Sequence, residues 1–168
     1  MADKLGIHPD SDDLPELSET LEKLLQHQAL DYTLFFRGLM EFQPANSSSS
    51  VKECVAAAMY TSGERLLEET GLYHEFEELY RRALLQEGDD VLRQRRMASA
   101  NPVFVLRNYI AQEVIDDLDA GSHALFEEVL RLLRHPYERL QTVRPEWYGR
   151  RPDWARNRPG CSMLSCSS

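Results

Sequence analysis

Three cysteines are the strongest nucleophiles in this 168-residue sequence: Cys54, Cys161 and Cys166. Cys54 precedes the apolar run 55–58 and is most simply interpreted as a small buried hydrophobic residue. Cys161 and Cys166 lie among small polar residues near the end of the sequence, where we predict an exposed, flexible tail. An exposed thiol can exchange with a partner, but reactivity also requires a lowered pKa. A regulatory thiol and a chance tail cysteine are therefore both open at this point.

Two groups of polar residues could form other sites. Asn108, Gln112 and Asp116 recur at steps of four along an otherwise apolar segment, with Arg107 beside them. Such a stripe is typical of a solvent-exposed helix face, and the alternative is a polar seam in contact with another domain. A group of arginines between positions 81 and 96 could bind phosphate, but the acidic residues around them favour a salt-bridged exposed face. These arginines are Arg81, Arg82, Arg93, Arg95 and Arg96.

The sequence lacks the short motifs of common active sites and metal sites. It contains no Gly-rich phosphate loop, no Gly-x-Ser-x-Gly elbow, no His-Glu-x-x-His helix and no Cys-x2-Cys or His-x3-His spacing. We therefore predict no catalytic, cofactor-binding or metal-binding residue in this chain. The formal charge of -9 disfavours nucleic acid and anionic membranes as partners. The odd number of cysteines is consistent with a reducing compartment, and the sequence shows no signal-peptide pattern.

Helical periodicity accounts for the first half of the sequence. Asp13, Pro15 and Glu16 predict the start of a helix, and leucines at helical spacing continue it. A short buried helix is predicted for 31–42, and the proline and serines that follow predict a loop. After the weakly periodic segment 51–70, a clearer apolar stripe predicts a helix that ends at Gly88, followed by one capped by Asp89 or Asp90.

The second half is predicted to contain a helical hairpin and an irregular tail. Asn101-Pro102 predicts a helix start, because asparagine caps helices and proline suits the first helical position. That helix should end at Gly121, and Ser122 should cap a second, antiparallel helix that stops before Pro136. The tail contains Trp147, Tyr148 and Trp154 between prolines and arginines, so we expect it to lie along a surface and to contribute little to the core.

These elements define the predicted fold. No alternating strand pattern bounded by hairpin turns occurs, so the class is all-α. We predict N-terminal helices in 1–43, a Ser-rich linker in 44–50, a helical segment in 51–137 that includes the hairpin 101–135, and a Pro/Arg-rich irregular tail in 138–168.

The segment Asn101-Pro-Val-Phe-Val-Leu-Arg-Asn-Tyr-Ile-Ala-Gln112 closely resembles a signature of the selenoprotein O family, Asn-Pro-x-x-Val-Leu-Arg-Asn-x-x-Ala-Gln. Shorter matches follow in the family's order along nearly the whole chain. They are Lys4-Leu-Gly6, Asp31-Tyr-Thr33, Phe36-Arg37, Arg96-Met97, Arg134-His-Pro-Tyr137, Pro152-Asp-Trp154 and Cys166-Ser-Ser168. The resemblance implies a protein adenylyltransferase with a kinase-like fold, which moves AMP from ATP to Ser, Thr or Tyr hydroxyls of proteins with the help of magnesium or manganese.

The resemblance also implies that the chain is a C-terminal fragment of a longer, kinase-like protein. The family's nucleotide-binding and metal-binding positions lie upstream of the matched segment, so none is carried over to this chain. The implied partners are the missing N-terminal kinase-like part and the protein substrates of the enzyme. The implied compartment is a bacterial-type cytoplasm, or a mitochondrion in a eukaryote. A standalone helical adaptor that binds a partner is the alternative function.

The resemblance gives Cys166 a redox-regulatory role. Animal members carry selenocysteine at its position, preceded by a cysteine, whereas Ser165 precedes Cys166 here. Cysteine at this position resembles the bacterial and fungal members, in which it is proposed to pair with a cysteine of the kinase-like part. Cys161 matches no family position. The candidate interdomain contacts are Arg107, Asn108, Gln112 and Trp154.

Overall fold

The computed structural model describes residues 1–60 and 66–161, and for residues 66–70 it describes the backbone only. In this part of the chain the regular structure is helical and contains no strand, which confirms the predicted all-α class. The α-helices are α1 (Ala2–Leu5), α2 (Leu14–His27), α3 (Tyr32–Leu39), α4 (Val51–Cys54), α5 (Leu66–Glu87), α6 (Asp90–Ala100), α7 (Asn108–Asp119) and α8 (Ala124–Arg134). Short 3-10 segments are Ala56–Ala58, Pro145–Tyr148 and Asp153–Arg156.

The chain divides into two compact units, which we call unit 1 (Met1–Asn101) and unit 2 (Pro102–Ser168). The division falls between α6 and α7, inside the predicted helical segment 51–137. Each unit has its own cluster of buried apolar side chains. The predicted boundaries of these segments stay predictions.

Unit 1 buries the apolar faces that helical periodicity predicts. Leu17, Leu21 and Leu24 on α2 are fully buried, and α2 packs against α5. The predicted end of α5 is confirmed, because Gly88 follows it with a φ of 73°, a left-handed conformation that favours glycine. The predicted cap of α6 is also confirmed, since the Asp89 carboxylate accepts a hydrogen bond from Leu92 N at 3.0 Å.

Two arginines of unit 1 stabilise loops instead of forming an exposed salt-bridged face. Arg93 is only 1% exposed and donates to the carbonyls of Leu39 (3.5 Å) and Phe42 (3.0 Å). The prediction of an exposed face is therefore wrong for Arg93, because the carbonyls that follow α3 need buried donors. Arg81 donates to carbonyls of the Ser-rich loop, including Ser49 O at 2.6 Å. The exposed Arg82, paired with Asp13 and Glu16, matches the prediction.

Unit 2 contains the predicted pair of packed helices, but the first begins later than predicted. The helix α7 starts at Asn108, and Asn101 is instead a buried residue at the C-terminal end of α6. Val103 N and Phe104 N both donate to Pro136 O, at 2.7 and 3.0 Å. The helix start at Asn101-Pro102 is wrong because this carbonyl satisfies the backbone donors in a non-helical segment.

The cap of α8 also differs from the prediction. Ser122 O–H donates to the Asp117 carboxylate at 2.9 Å, and the same carboxylate accepts from Leu125 N at 3.1 Å. Asp117, on the preceding helix, therefore caps α8 together with Ser122. Sequence reasoning missed it because the capping residue lies eight positions before the amide that it binds.

The segment after Pro136 contributes large side chains to the core of unit 2. Trp147 is fully buried, Tyr148 is 5% exposed, and Phe104 packs against both rings. Trp147 Nε1 donates to the Glu113 carboxylate at 2.6 Å, and Tyr148 O–H donates to Leu140 O at 2.9 Å. The expectation of a tail with little core is therefore wrong. Among its described residues unit 2 has two α-helices, and aromatic rings from the irregular segment complete its core.

Candidate functional site

The candidate site lies where the last described residues pack on α7, within unit 2. We call this cluster the tail anchor. Its members are Tyr109, Gln112 and Asp116 on α7, and Trp154, Arg158, Gly160 and Cys161 on the C-terminal segment.

Cys161 forms the apolar end of the tail anchor. Its side chain is 3% exposed and belongs to the buried cluster that contains Trp147 and Ala155. The prediction that Cys161 lies in an exposed segment is wrong, because the segment folds back onto α7 and the thiol packs as a small hydrophobic group.

Gly160 allows the close approach of the tail to α7. It has a φ of 82°, which a residue with a side chain adopts only with strain. A Cβ at this position would also overlap Oε1 of Gln112. The left-handed φ is therefore the main reason for glycine at this position, since the end of the Gln112 side chain can move away from an added Cβ.

The polar end of the tail anchor is an exposed network around Asp116. Arg158 donates to Oδ2 of Asp116 at 2.6 Å, and Gln112 Nε2 donates to Oδ1 at 3.0 Å. The hydrogen bonds from Gln112 and Arg158 lower the pKa of Asp116, so the carboxylate is ionised at neutral pH. Because both ionic side chains are more than 40% exposed, this pair stabilises the contact only weakly by itself.

An aromatic contact lies beside this network. The Trp154 ring packs edge to face on Tyr109, with the centroids 6.0 Å apart. The Arg158 guanidinium lies over the Trp154 ring, 5.7 Å from the centroid of that ring. Arg158 therefore contacts both Asp116 and Trp154, which holds it between α7 and the tail.

The structure places the predicted interdomain residues as follows. Gln112 and Trp154 belong to the tail anchor, while Arg107 donates to Trp147 O at 3.2 Å. Asn108 is exposed at the start of α7. Cys166 lies outside the described residues. Sequence reasoning noted the spacing of Gln112 and Asp116, but nothing in the sequence indicated that Arg158 pairs with them.

A second feature of unit 2 is an exposed apolar stripe on α8. Phe126, Leu130 and Leu133 lie on one side of the helix and are 43%, 37% and 37% exposed. Tyr137, just beyond the helix, is 51% exposed. The opposite flank carries charged residues, including the Glu128–Arg131 pair. We call these four side chains the α8 stripe. Contiguous exposed apolar side chains of this kind are typical of interaction surfaces.

The described residues offer little else for chemistry. No three or more His, Cys, Asp or Glu side chains among them lie together as a metal site would require. None of the described helices has the length and apolar character needed to cross a membrane. The thiols of Cys54 and Cys161 are free. Burial raises the pKa of the Cys54 thiol, so a smaller fraction of it is ionised to the reactive thiolate.

Comparison with known proteins gives one consistent family. A family model described as protein adenylyltransferase SelO matches residues 1–134. A relative named protein nucleotidyltransferase YdiU, from Aromatoleum aromaticum, is 41% identical over 169 residues, covering 100% of this chain and 31% of its own length. Proteins of the same name from Xanthomonas campestris and Rhodopirellula baltica are each 37% identical, covering 99% and 100% of this chain and 32% and 33% of their own. The chain spans about a third of the length of these relatives.

Proposed function

This chain belongs to the SelO family of protein adenylyltransferases, and we propose that it is the helical C-terminal part of a longer enzyme. The enzyme would transfer AMP from ATP to Ser, Thr or Tyr hydroxyls of other proteins. The observation that carries this proposal is the alignment of essentially the whole chain with only about a third of each relative. In this proposal the chain has a structural and regulatory role and does not catalyse the reaction alone.

The proposed structural role is to pack against the missing kinase-like part through the α8 stripe. Full burial of a large apolar side chain contributes about 1.5 to 3 kcal/mol. Because Phe126, Leu130 and Leu133 still expose around 40% of their surface, covering them would add roughly 0.5 to 1 kcal/mol each. This gain favours docking, and in the intact protein the covalent link between the two parts lowers the entropy cost of association further.

Nucleotide and metal belong, in this proposal, to the missing part. The described residues do not fit Mg–ATP, since they contain no cluster of acidic side chains for the metal. Three of the arginines that could have bound phosphate, Arg81, Arg82 and Arg93, donate to backbone carbonyls or to carboxylates instead. We therefore assign no step of AMP transfer to residues of this chain.

The proposed regulatory role belongs to the Cys166 thiol. Its thiolate would attack a disulfide such as oxidised glutathione, releasing one glutathione thiolate and forming a mixed disulfide. A cysteine thiolate of the kinase-like part would then displace the second glutathione and form the protein disulfide. Two protein thiols are oxidised and one glutathione disulfide is reduced, so protons and electrons balance. The support for this role is the resemblance at Cys166-Ser-Ser168.

Reconstitution in two pieces tests the structural role. The N-terminal two thirds of the Aromatoleum aromaticum relative is co-expressed with this chain carrying an affinity tag. We expect the two pieces to co-purify, and Leu130→Asp to abolish co-purification because it places a charge on the α8 stripe. Glu127→Gln, an exposed change on the same helix, should leave it intact. Failure of the parent chain to co-purify, or equal co-purification of Leu130→Asp, would contradict the proposal.

Nucleotide binding separates this function from a standalone role. With labelled ATP and magnesium or manganese, we expect no saturable binding and no AMP transfer by this chain alone, and transfer by the reconstituted pair. Saturable uptake by the chain alone would refute the assignment of nucleotide to the missing part.

For the redox role, oxidised glutathione should cross-link the two pieces on non-reducing gels, and Cys166→Ser should remove that band while Cys54→Ser retains it.

A further inference from the structure

We propose that an open cleft in unit 2 binds an acidic side chain of a partner polypeptide, with Arg139 as the charged contact. The cleft has a volume of about 380 Å³, within the range of roughly 300 to 1,000 Å³ that is usual for ligand sites. We call it the Arg139 cleft. It is lined by Arg139, Leu140, Gln141, Thr142, Pro145 and Tyr148.

The Arg139 guanidinium is held in a position to meet an anion. It lies over the Tyr148 ring, 5.0 Å from the ring centroid. Tyr148 is itself fixed, since its hydroxyl donates to Leu140 O at 2.9 Å. Among the described residues, no carboxylate or carbonyl accepts a hydrogen bond from Arg139, and the residue is exposed. A planar guanidinium in this state binds a carboxylate through two parallel hydrogen bonds.

The charges around the cleft favour an acidic ligand. Two carboxylates beside it are already paired: Glu128 accepts two hydrogen bonds from Arg131, at 2.8 Å each, and Glu146 lies 3.4 Å from Arg144. The surrounding segment 138–158 carries six arginines against three acidic residues, in a chain whose formal charge is -9. This local excess of positive charge is complementary to an acidic partner.

The walls of the cleft are fixed by contacts within unit 2. Arg131 donates to Gln141 O, and Thr142 Oγ1 accepts from Arg144 N at 3.1 Å. Leu140 is partly buried and packs against the core of unit 2. Because these residues are already ordered, a ligand loses little binding free energy to the ordering of a loop.

The remaining groups of the cleft favour a polypeptide over a free anion. Leu140 and Pro145 supply apolar lining, and Val143 in the same loop is largely exposed. The side-chain amide of Gln141 can bind a backbone N–H or C=O group. A free carboxylate would contact the guanidinium but leave the apolar surface in water. An apolar residue next to an Asp or Glu would cover that surface, so we infer a ligand of this composition.

NMR titration of the ¹⁵N-labelled whole chain tests the cleft. The probe is the peptide acetyl-Ala-Leu-Glu-Leu-Ala-amide, and the matched control peptide has Gln in place of Glu. We expect saturable shifts of the Arg139 Nε–H and of the amides of 139–144 with the Glu peptide. The Gln peptide should bind at least about fivefold more weakly, because it cannot form the ion pair. Absence of a saturable shift with the Glu peptide would refute the site.

Two variants separate the cleft from general charge attraction. Arg139→Gln should weaken binding of the Glu peptide at least about fivefold and make the two peptides bind alike. The matched control is Arg156→Gln, an exposed arginine of the same basic segment that does not line the cleft. It should leave the affinity unchanged. Equal weakening by the two variants would show that the segment attracts the peptide only through net charge, and would overturn the site.

Small anions identify the source of the carboxylate. We expect succinate and inorganic phosphate to shift the same amides with at least about fivefold weaker affinity than the Glu peptide, since they leave Leu140 and Pro145 uncovered. Binding of either anion as tight as that of the peptide would overturn the choice of a polypeptide ligand. These measurements need only the present chain, whereas docking through the α8 stripe is tested by co-purification. The two proposals therefore fail separately.

Discussion

The two units of this chain reach stability in different ways. Unit 1 carries the whole net charge of -9, while acidic and basic residues balance in unit 2. Unit 1 buries amphipathic helices against one another, as α2 and α5 do. In the described part of unit 2 the α-helices are α7 and α8, and aromatic side chains from irregular segments complete the core.

The comparison shows where periodic sequence patterns are sufficient to predict which side chains are buried. A helix face buries many residues at once, so no single side chain dominates the stability of unit 1. The exception is a position where a loop needs a buried hydrogen-bond donor. In unit 2 a few specific contacts hold long non-helical segments, so individual side chains matter more. Trp147 is the clearest case, because it fills the core, donates to Glu113 and accepts from Arg107 through its carbonyl.

The largest effect should come from removing the central ring of unit 2. We expect Trp147→Ala to lower the free energy of unfolding by about 3 to 5 kcal/mol, since it leaves a large cavity and removes the donor to Glu113. Trp154→Ala, which truncates a ring that is 47% exposed, should cost less than about 1 kcal/mol. Urea unfolding measures both losses of free energy, and hydrogen exchange measured separately for the amides of each unit assigns them to unit 2. Similar losses for the two variants would contradict the central role of Trp147.

An intermediate effect is expected in unit 1, at its buried arginine. Arg93→Ala removes the donors to Leu39 O and Phe42 O, and we expect a loss of about 2 to 4 kcal/mol because these carbonyls become unsatisfied. Arg95→Ala on the same helix changes an exposed side chain and should stay within about 0.5 kcal/mol. In hydrogen exchange, protection should fall around α3 and the loop after it. Unaltered protection there would mean that the guanidinium is dispensable.

The smallest effect concerns the pH dependence of unit 2. The paired Arg131 guanidinium, with smaller contributions from Thr142 and the amide of Val143, lowers the pKa of Glu128 from 4.5 to about 2. A lowered folded-state pKa stabilises the fold above the unfolded value, and this contribution is lost as the pH falls from about 4.5 toward 2. Because Arg131 is 44% exposed, we expect Glu128→Gln to cost only about 1 kcal/mol at pH 7.

Urea unfolding of the parent chain and Glu128→Gln at pH 7, 4 and 2.5 tests this sign. The difference between them should shrink as the pH decreases, because the parent loses the charge that the variant never has. A constant or growing difference would show that the Glu128–Arg131 pair does not contribute through ionisation. Glu127→Gln, on the same turn, serves as the matched exposed control.

Sequence reasoning predicted most of unit 1 and less of unit 2, including its candidate site. The end of α5 at Gly88 and the cap at Asp89 were predicted because glycine and aspartate act on neighbouring backbone groups. The early helix start after Asn101 was wrong because a carbonyl from Pro136 competes for the same amides. The tail anchor was only partly foreseen, since Gln112 and Trp154 were named but Arg158 and the burial of Cys161 were not.

The sequence by itself determined the all-α class, the end of α5, the cap of α6 and the family, because these depend on residues close together in the chain or on ordered motifs. Tertiary structure alone decided that Arg93 is buried, that Trp147 completes a core and that the Cys161 thiol is buried. These features depend on which distant carbonyls, carboxylates and cavities meet a side chain. Such partners are 34 positions away for Trp147 and Glu113, a separation at which no local spacing rule operates.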